Sequence, residues 1–374
     1  MRILLVGNYP PDGQESMRRY AHLVLESLRS TGHDVTLQVP QQVLNVAGGS
    51  GAGIGKWIGY VDKYALAAPQ LARAARTAQL VHICDHSNSI YVPSRPRVPY
   101  VVTCHDLLAV RGSLGEDTDC PASFTGRRLQ QAILRGLRRA QALACVSGAT
   151  LSDARRLLVG YTGRLALLPN ALNYPFKVLD AVEVERRLAV LPRRVDIGNY
   201  VLHVGSNLRR KNREGALRAL ALTTSSWSGQ LLFAGQPLTA ELRQLARTLR
   251  VHDRIVEVDK PSDELLEALY NGALALLFPS RFEGFGWPII EAQACGCPVL
   301  CSDRPPFPEV AGGAAIMCDA DDAVAFAAAL RRLASQPELR RELRSRGREN
   351  ARRYGRASLI EHLLELYAQV LAAV

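Results

Sequence analysis

Short β-branched and apolar runs alternate with helical patterns along this 374-residue chain, and the alternation occurs twice. In the first half the runs are Ile3–Val6, Val35–Val39, Leu80–Ile83, Tyr100–Thr103, Ala142–Val146 and Leu165–Leu168. In the second they are Tyr200–Val204, Leu231–Ala234, Ile255–Val258, Leu274–Phe278, Val299–Cys301 and Ala315–Cys318. Such runs, bounded by turn residues, suit strands buried on both faces. Helical periodicity is clearest over Glu15–Ser30, where Met17, Ala21, Val24 and Leu28 share a face before Thr31-Gly32 stops it. Further helices are expected over Glu214–Leu222, Leu238–Leu249, Asp263–Tyr270 and Pro288–Ala294, and the chain reads as helical after Asp321. Strand–helix alternation requires parallel sheets with helices on both faces. Two sets imply two doubly wound α/β domains, which also suits a length beyond that of one ordinary domain. The join is expected between Asn170 and Asn199, where Pro169, Pro175 and Pro192 interrupt regular patterns.

Composition narrows the function classes. Hydrophobic residues at 48% and charged residues at 22% are the mixture of a folded soluble chain, and no apolar run has the length that crosses a bilayer. The opening MRILLVGNYPPDG lacks the long apolar region and cleavage site of a secretory signal, so a cytoplasmic location is expected. Eight cysteines form no Cys-x-x-Cys pair, and most fall in apolar runs. Even the cluster Cys295, Cys297 and Cys301 has no His or acidic residue at metal-ligand spacing, so these read as buried thiols and no metal site is expected. Residues 1–180 hold 20 Lys and Arg against 12 Asp and Glu, whereas 181–374 hold 26 against 23. The excess favours an anionic partner, and the first half carries most of it.

Open α/β sheets bind ligands beyond the carboxyl ends of their strands, so the loops after each strand carry the chemistry. The richest is Phe278-Pro-Ser-Arg-Phe-Glu283-Gly-Phe-Gly-Trp-Pro288-Ile-Ile-Glu291. Its Gly284 and Gly286 let backbone N–H groups approach an anion, and Pro288 marks a helix start. Glu291 is expected in that helix's first turn, placed to accept hydrogen bonds from paired hydroxyls. After Tyr200–Val204 comes Gly205-Ser-Asn-Leu-Arg-Arg210-Lys211, whose basic pair suits a diphosphate. His105-Asp106 follows one first-half strand, Asp85-His86-Ser87 another, and Pro10-Pro-Asp-Gly13-Gln14 the first.

EGFGWPIIE at 283–291 resembles the paired-glutamate signature of the retaining GT-B glycosyltransferases of family 4. HVGSNLRRKN (203–212), LLFAG (231–235), PEVAG (308–312), VSGAT (146–150) and LPNAL (168–172) are similar to that family in the same order, so the likeness spans nearly the whole chain. The resemblance implies a GT-B fold of two Rossmann-like domains facing across a cleft. It divides the chain into 1–180 for the acceptor, 181–353 for the nucleotide-sugar, and 354–374 as a helix, about Ser358–Ala372, returning to the first domain. It implies that Arg210 and Lys211 neutralise the donor diphosphate beside Gly205, and that Glu291 holds the ribose. Glu283, with the amides of Gly284, Phe285 and Gly286, would hold sugar and phosphate. His105 would reach the sugar, and Gly13 would close over the phosphates. Two positions depart from the pattern. Ser206 and Asn207 stand where many members carry Arg, and Asp12-Gly13-Gln14 replaces a common Gly-Gly pair.

The activity so implied is metal-independent hexose transfer, with retention, from a nucleotide-diphosphate-sugar to a hydroxyl. The acceptor would be a saccharide or a lipid-linked one, in cell-surface polysaccharide or glycolipid synthesis, with no cofactor beyond the donor. Asp85 and His86 are candidates for the acceptor side. The alternative is a silent GT-B partner subunit, against which the intact Glu283, Glu291, Arg210, Lys211 and His105 argue. A nicotinamide dehydrogenase is excluded by GNYPPDG in place of GxGxxG. Nucleic acid is not expected, since charge alone suggests it. Arg127–Arg139, with Leu129, Ile133 and Leu137 at helical spacing, is expected to pack on its own sheet; contact with an anionic membrane is its second reading. Lys56-Trp57-Ile58 is a further candidate contact, and the Arg-rich run 331–356, interleaved with Glu338, Glu342 and Glu349, reads as a solvated helix face.

Overall fold

A computed structural model describes residues 1–44, 58–191 and 193–373. Lys56 and Trp57 of the candidate contact, and Pro192 of the expected join, lie outside the described residues. The chain divides into two units, one of Met1–Asn173 together with the chain from Arg356 on, the other of Tyr174–Gly355.

Unit 1 is a six-stranded sheet in the order β2-β1-β3-β4-β5-β6. Its strands are β1 Arg2–Val6, β2 Asp34–Gln38, β3 Leu80–Ile83, β4 Tyr100–Cys104, β5 Ala142–Cys145 and β6 Arg164–Leu167. All neighbours run parallel, with Ile3 beside Val35 on one side and Leu80 on the other. Strands β3, β4 and β5 are buried at every position, as continuous apolar runs in a doubly covered sheet must be.

The helix Arg356–Leu371 packs with this unit and is fixed to it by a buried polar chain. Tyr367 Oη lies 2.6 Å from His82 Nδ1, His82 Nε2 lies 2.7 Å from Thr103 Oγ1, and Thr103 Oγ1 lies 3.0 Å from Tyr20 Oη. Burial, with His105 nearby, pushes the His82 pKa down to about 3. The ring is therefore neutral at pH 7 and works as one donor and one acceptor, which lets every group in the chain be satisfied.

Unit 2 is a second parallel sheet, in the order β12-β11-β10-β7-β8-β9. Its strands are β7 Tyr200–Gly205, β8 Gln230–Gly235, β9 Ile255–Asp259, β10 Ala275–Phe278, β11 Val299–Ser302 and β12 Ile316–Cys318. Its core gathers Val201, Leu217, Leu231, Phe233, Leu277 and Leu300, each at most 1% exposed. Truncating one such leucine to alanine costs about 3 kcal/mol, the lost transfer energy plus the cavity.

In this order the chain reverses direction across the sheet between β7 and β10, and in unit 1 between β1 and β3. At such switch points the loops diverge and leave a crevice. The expected proline-broken join is not wholly irregular. Ala181–Leu188 is a helix whose N-cap Asp180 Oδ1 accepts from the Glu183 amide at 2.8 Å.

The helix Phe124–Arg139 buries Ile133 and Leu137 in the unit 1 core, with Leu129 packed against it, and leaves Arg127, Arg128, Arg135, Arg138 and Arg139 exposed. Its apolar face is thus taken by its own sheet. Among the described residues no helix is long and apolar enough to cross a membrane.

Candidate functional site

The two loops at the unit 2 switch point meet. After β7, Arg209–Lys211 forms a single tight turn, and after β10 comes the glycine-bearing loop to the helix Trp287–Ala294. The Arg281 amide donates to the Arg210 carbonyl at 2.7 Å, joining the two backbones. Across that junction Arg210 Nη1 donates to Glu283 Oε2 at 2.7 Å and to the Phe282 carbonyl at 2.9 Å, while Lys211 Nζ donates to Glu283 Oε1 at 2.5 Å. The side chains of Glu283, Lys211 and Arg210 are only 9%, 14% and 19% exposed. Burial alone would raise the Glu283 pKa, but the adjacent Lys211 and Arg210 outweigh it and hold the carboxyl below its usual value. Two cations and one carboxylate leave the rim positive, in a setting where charge is poorly screened.

Asn212 and Arg213 hold this loop, and sequence reasoning gave them no role. Asn212 has φ +53, a left-handed conformation that asparagine tolerates. Buried, it caps the helix Arg213–Ala221 by accepting from the Gly215 amide at 3.0 Å, and its Nδ2 donates to Ala320 O at 2.7 Å and Pro279 O at 3.2 Å. One side chain therefore ties the loops after β7, β10 and β12. Arg213, 3% exposed, donates to Gly205 O at 2.5 Å, Gln236 O at 2.7 Å and Asn207 Oδ1 at 2.6 Å. Burial lowers its pKa to about 10, so it is still cationic at neutral pH. An asparagine directly before Arg-Glu at a strand-to-helix turn was the available cap signal.

Glu291 stands apart from that cluster. It is the fifth residue of the helix Trp287–Ala294, in its second turn rather than the first, because the helix already starts at Trp287 with Gly286 as N-cap. It is 5% exposed and accepts from Tyr270 Oη at 2.8 Å, a hydroxyl presented by a neighbouring helix. Phe285 packs edge-on to Trp287 and Tyr354, with ring centroids 6.1 and 5.6 Å away.

In unit 1 the same edge carries the other expected residues. Asn8, after β1, donates from Nδ2 to Asp85 Oδ2, after β3, at 2.5 Å, and to Gln14 Oε1 at 2.5 Å. Asp85, 3% exposed, also accepts from Ser87 N at 3.2 Å and Ser87 Oγ at 2.6 Å. His86 Nδ1 lies 3.1 Å from Asp85 Oδ1, close enough for ionic attraction but not aligned as a hydrogen bond. Burial works against both charges, yet each group's partner prevails: Asp85 titrates below its usual range and His86 above its own. His105, 5% exposed, has Nε2 at 3.0 Å from the Cys84 carbonyl, which can only accept. The proton therefore sits on Nε2, and Nδ1 is the acceptor nitrogen. Burial pulls the His105 pKa down, so the ring is neutral at pH 7. Gly13, at φ +65, closes the turn Pro10–Asp12, and a Cβ there would meet nothing within 4 Å. Its constraint is conformational, and the space above it is open.

Each sheet's rim thus brings its own residues together: Arg210, Lys211 and Glu283 in unit 2, with Glu291 one helix away; Asn8, Asp85 and His86 in unit 1, with His105 just after the next strand. Among the described residues no three His, Cys, Asp or Glu side chains converge to hold a metal ion.

Known proteins resemble this chain in sequence and in fold. Residues 16–171 match the family model described as a glycosyl transferase 4-like domain, and 193–350 match that of glycosyl transferases group 1. The O-antigen chain mannosyltransferase RfbU of Salmonella typhimurium is 31% identical over 140 residues, covering 37% of this chain and 40% of that protein. The D-inositol 3-phosphate glycosyltransferase of Acidothermus cellulolyticus is 30% identical over 296 residues, covering 74% and 63%. The matched stretches span less than two thirds of these relatives' own lengths. Among solved structures, sucrose-phosphate synthase from Thermosynechococcus elongatus aligns over 100% of both chains with a TM-score of 0.79 at 22% identity. Anabaena Alr3699/HepE, solved in complex with UDP and glucose, aligns over 99% of this chain and 100% of its own, with a TM-score of 0.74 at 15% identity. The fold is the two-domain, Rossmann-like GT-B one.

Proposed function

We propose that this chain, a glycosyl transferase 4-like domain followed by a group 1 domain, transfers a hexose from a nucleotide-diphosphate-sugar to a hydroxyl acceptor with retention of configuration. The observation that carries the reading is the convergence of Arg210 and Lys211 on Glu283 where β7 and β10 part. Breaking the anomeric C–O bond develops an oxocarbenium-like sugar and leaves negative charge on the departing diphosphate. Fixed cations and amide dipoles aimed at that charge lower the barrier, because they need no reorganisation when it forms. Arg210 and Lys211 supply the cations, and the backbone from Gly284 to Gly286 supplies the dipoles. Because two side-chain cations meet the leaving group, the proposed turnover is metal-independent. Glu283 keeps both cations oriented before the donor arrives. Beside Gly205 the phosphates are bound, and Glu291, oriented by Tyr270, takes the ribose hydroxyls.

Unit 1 is assigned the acceptor and part of the sugar. In this reading His105 would offer a neutral acceptor nitrogen to a donor-sugar hydroxyl, Gly13 would close over the phosphates, and Asp85 with His86 would read acceptor hydroxyls. A nucleotide-sugar donor is supported by the UDP and glucose bound to Alr3699/HepE. Synthesis of cell-surface polysaccharide or glycolipid is supported by the O-antigen mannosyltransferase among the relatives. No further cofactor is invoked. Work on lipid-linked acceptors at the inner face of a membrane would draw on the exposed arginines of the helix Phe124–Arg139, so vesicle sedimentation should depend on anionic lipid.

The test is a panel of nucleotide-sugars scored by melting temperature and by donor hydrolysis in the presence of EDTA. One donor should stabilise the protein by mass action and be hydrolysed. Lys211→Ala should cut its turnover at least a hundredfold, about 3 kcal/mol of transition-state stabilisation. An unchanged rate removes the assignment. A donor that binds without turnover would point to a silent subunit.

A further inference from the structure

The arginine-rich run near the end of unit 2 is exposed, with Arg346, Arg348, Arg352 and Arg353 all facing solvent. Its helix Pro337–Ala351 and the turn Arg352–Tyr354 carry glutamates that neutralise part of the charge: Glu338 pairs with Arg341, Glu342 with Arg346 at 2.9 Å, and Glu349 with Arg352 at 2.6 Å. Beside Gly312 the balance differs. A cleft of about 800 Å³ opens there, lined by Arg346, Arg348, Arg352 and Arg353; Arg346 and Arg352 carry the pairs with Glu342 and Glu349, so among the described residues Arg348 and Arg353 are the two without a carboxylate partner.

The floor of this cleft is built. Asn350, 6% exposed, donates from Nδ2 to Gln293 Oε1 at 2.7 Å and to Val310 O at 2.8 Å, and its Oδ1 accepts from Arg353 Nη1 at 3.1 Å. Gly312 has φ +58, and a Cβ there would lie 2.0 Å from Asn350 Oδ1, so any side chain at this position would displace the floor. Arg353 is thus held by an uncharged acceptor and keeps its full charge. Arg346 reaches the Gly313 carbonyl. Among the described residues Arg348 has no hydrogen-bond or ion-pair partner. Like charges gathered in a concavity repel, and low-dielectric walls focus their potential. Guanidinium N–H pairs match the oxygens of a phosphate in both charge and spacing.

We propose that this cleft is a second anion site, separate from the loops after β7 and β10, that takes a phosphate-class oxyanion. Its existence does not rest on the sugar-transfer reading, since it uses none of Arg210, Lys211, Glu283 or Glu291. The group it takes could be a free phosphate or diphosphate, or the headgroup phosphate of an anionic lipid.

Pyrophosphate titrated calorimetrically into the full chain tests it, with Lys211→Ala carried throughout so that the first site is weakened. In that background Arg348→Glu is expected to weaken pyrophosphate at least tenfold. Arg353→Gln, which removes one guanidinium and leaves Asn350 in place, should weaken it several-fold. Arg341→Gln, an exposed arginine outside the cleft, should leave affinity within twofold. Equal weakening by Arg341→Gln and Arg348→Glu would mean only diffuse charge and would overturn the proposal, as would no effect of Arg348→Glu. Vesicles with and without phosphatidylglycerol identify the source. Sedimentation lost in Arg348→Glu assigns the site to a lipid headgroup, and pyrophosphate binding without sedimentation assigns it to a soluble phosphate. Sedimentation independent of Arg348, with no pyrophosphate bound in the Lys211→Ala background, overturns it. Donor turnover of Arg348→Glu in otherwise wild-type protein should be unchanged, so failure here and failure of Lys211→Ala are told apart.

Discussion

Replacing Glu283 by glutamine keeps the shape of the side chain and removes its charge, leaving Arg210 and Lys211 facing one another across a weaker acceptor. The carboxylate receives hydrogen bonds from Arg210 at 2.7 Å and from Lys211 at 2.5 Å and is 9% exposed. A hydrogen bond to a charged group contributes about 1.5–3 kcal/mol net, and a buried charge stripped of its partner costs about 3–5 kcal/mol. Glutamine retains one carbonyl acceptor, and both cations keep some access to water, so the expected loss is about 3 kcal/mol. For a unit the size of 174–355 that corresponds to a fall in melting temperature of about 6–12 °C. The distinctive readout is ligand dependence. Because the uncompensated cations now lack an internal anion, pyrophosphate should raise the melting temperature of Glu283→Gln more than that of the wild type. Scanning calorimetry with and without pyrophosphate measures both quantities. A variant melting within about 2 °C of wild type, or one that gains no more from pyrophosphate, would refute the picture of two cations poised by one carboxylate.

Glu291→Ala should leave the buried Tyr270 hydroxyl without its acceptor, cost about 1–3 kcal/mol in urea melts, and raise the donor KM at least tenfold. An unchanged KM would remove the ribose assignment. Acid should destabilise the protein through His82 and His203, whose pKa values burial pushes down to about 3 from an ordinary 6.5. Between those values the unfolded chain binds the extra protons, so stability is fully present above about pH 6.5 and is lost progressively down to about pH 3, by up to about 1.4 kcal/mol per pH unit for each ring. His86, whose pKa is raised, opposes this in part. Urea midpoints that stay flat between pH 7 and pH 4 would contradict the buried neutral state of both rings.

The sheets were legible because doubly covered parallel strands must be written as short, unbroken apolar runs, and all six strands of each sheet fall where those runs lie. Arg210, Lys211 and Glu283 could be read as partners because strand-end loops carry the chemistry, although their contact depends on which strands become neighbours. Only the order β10-β7 brings residues 210 and 283 together, and nothing local encodes that order. Local signals were also passed over. Asp180 and Glu183 form an N-cap pattern inside a stretch read as irregular, because three prolines outweighed it. Asn8 was hidden because its partner, Asp85, is 77 residues away. The arginine cleft could not be seen in sequence, since the interleaved Glu338, Glu342 and Glu349 do not tell which arginines gather on one side of the helix beside Gly312.

The buried chain from Tyr367 through His82 and Thr103 to Tyr20 joins residues made after the whole of 174–355 to residues made before it. During synthesis the segment 174–355 has all its strands before Arg356 emerges, whereas the first sheet must wait with His82 uncapped until the closing helix leaves the ribosome. The later segment is therefore positioned to finish folding earlier, and a truncation before Tyr367 would expose its effect in the half of the protein farthest away in sequence.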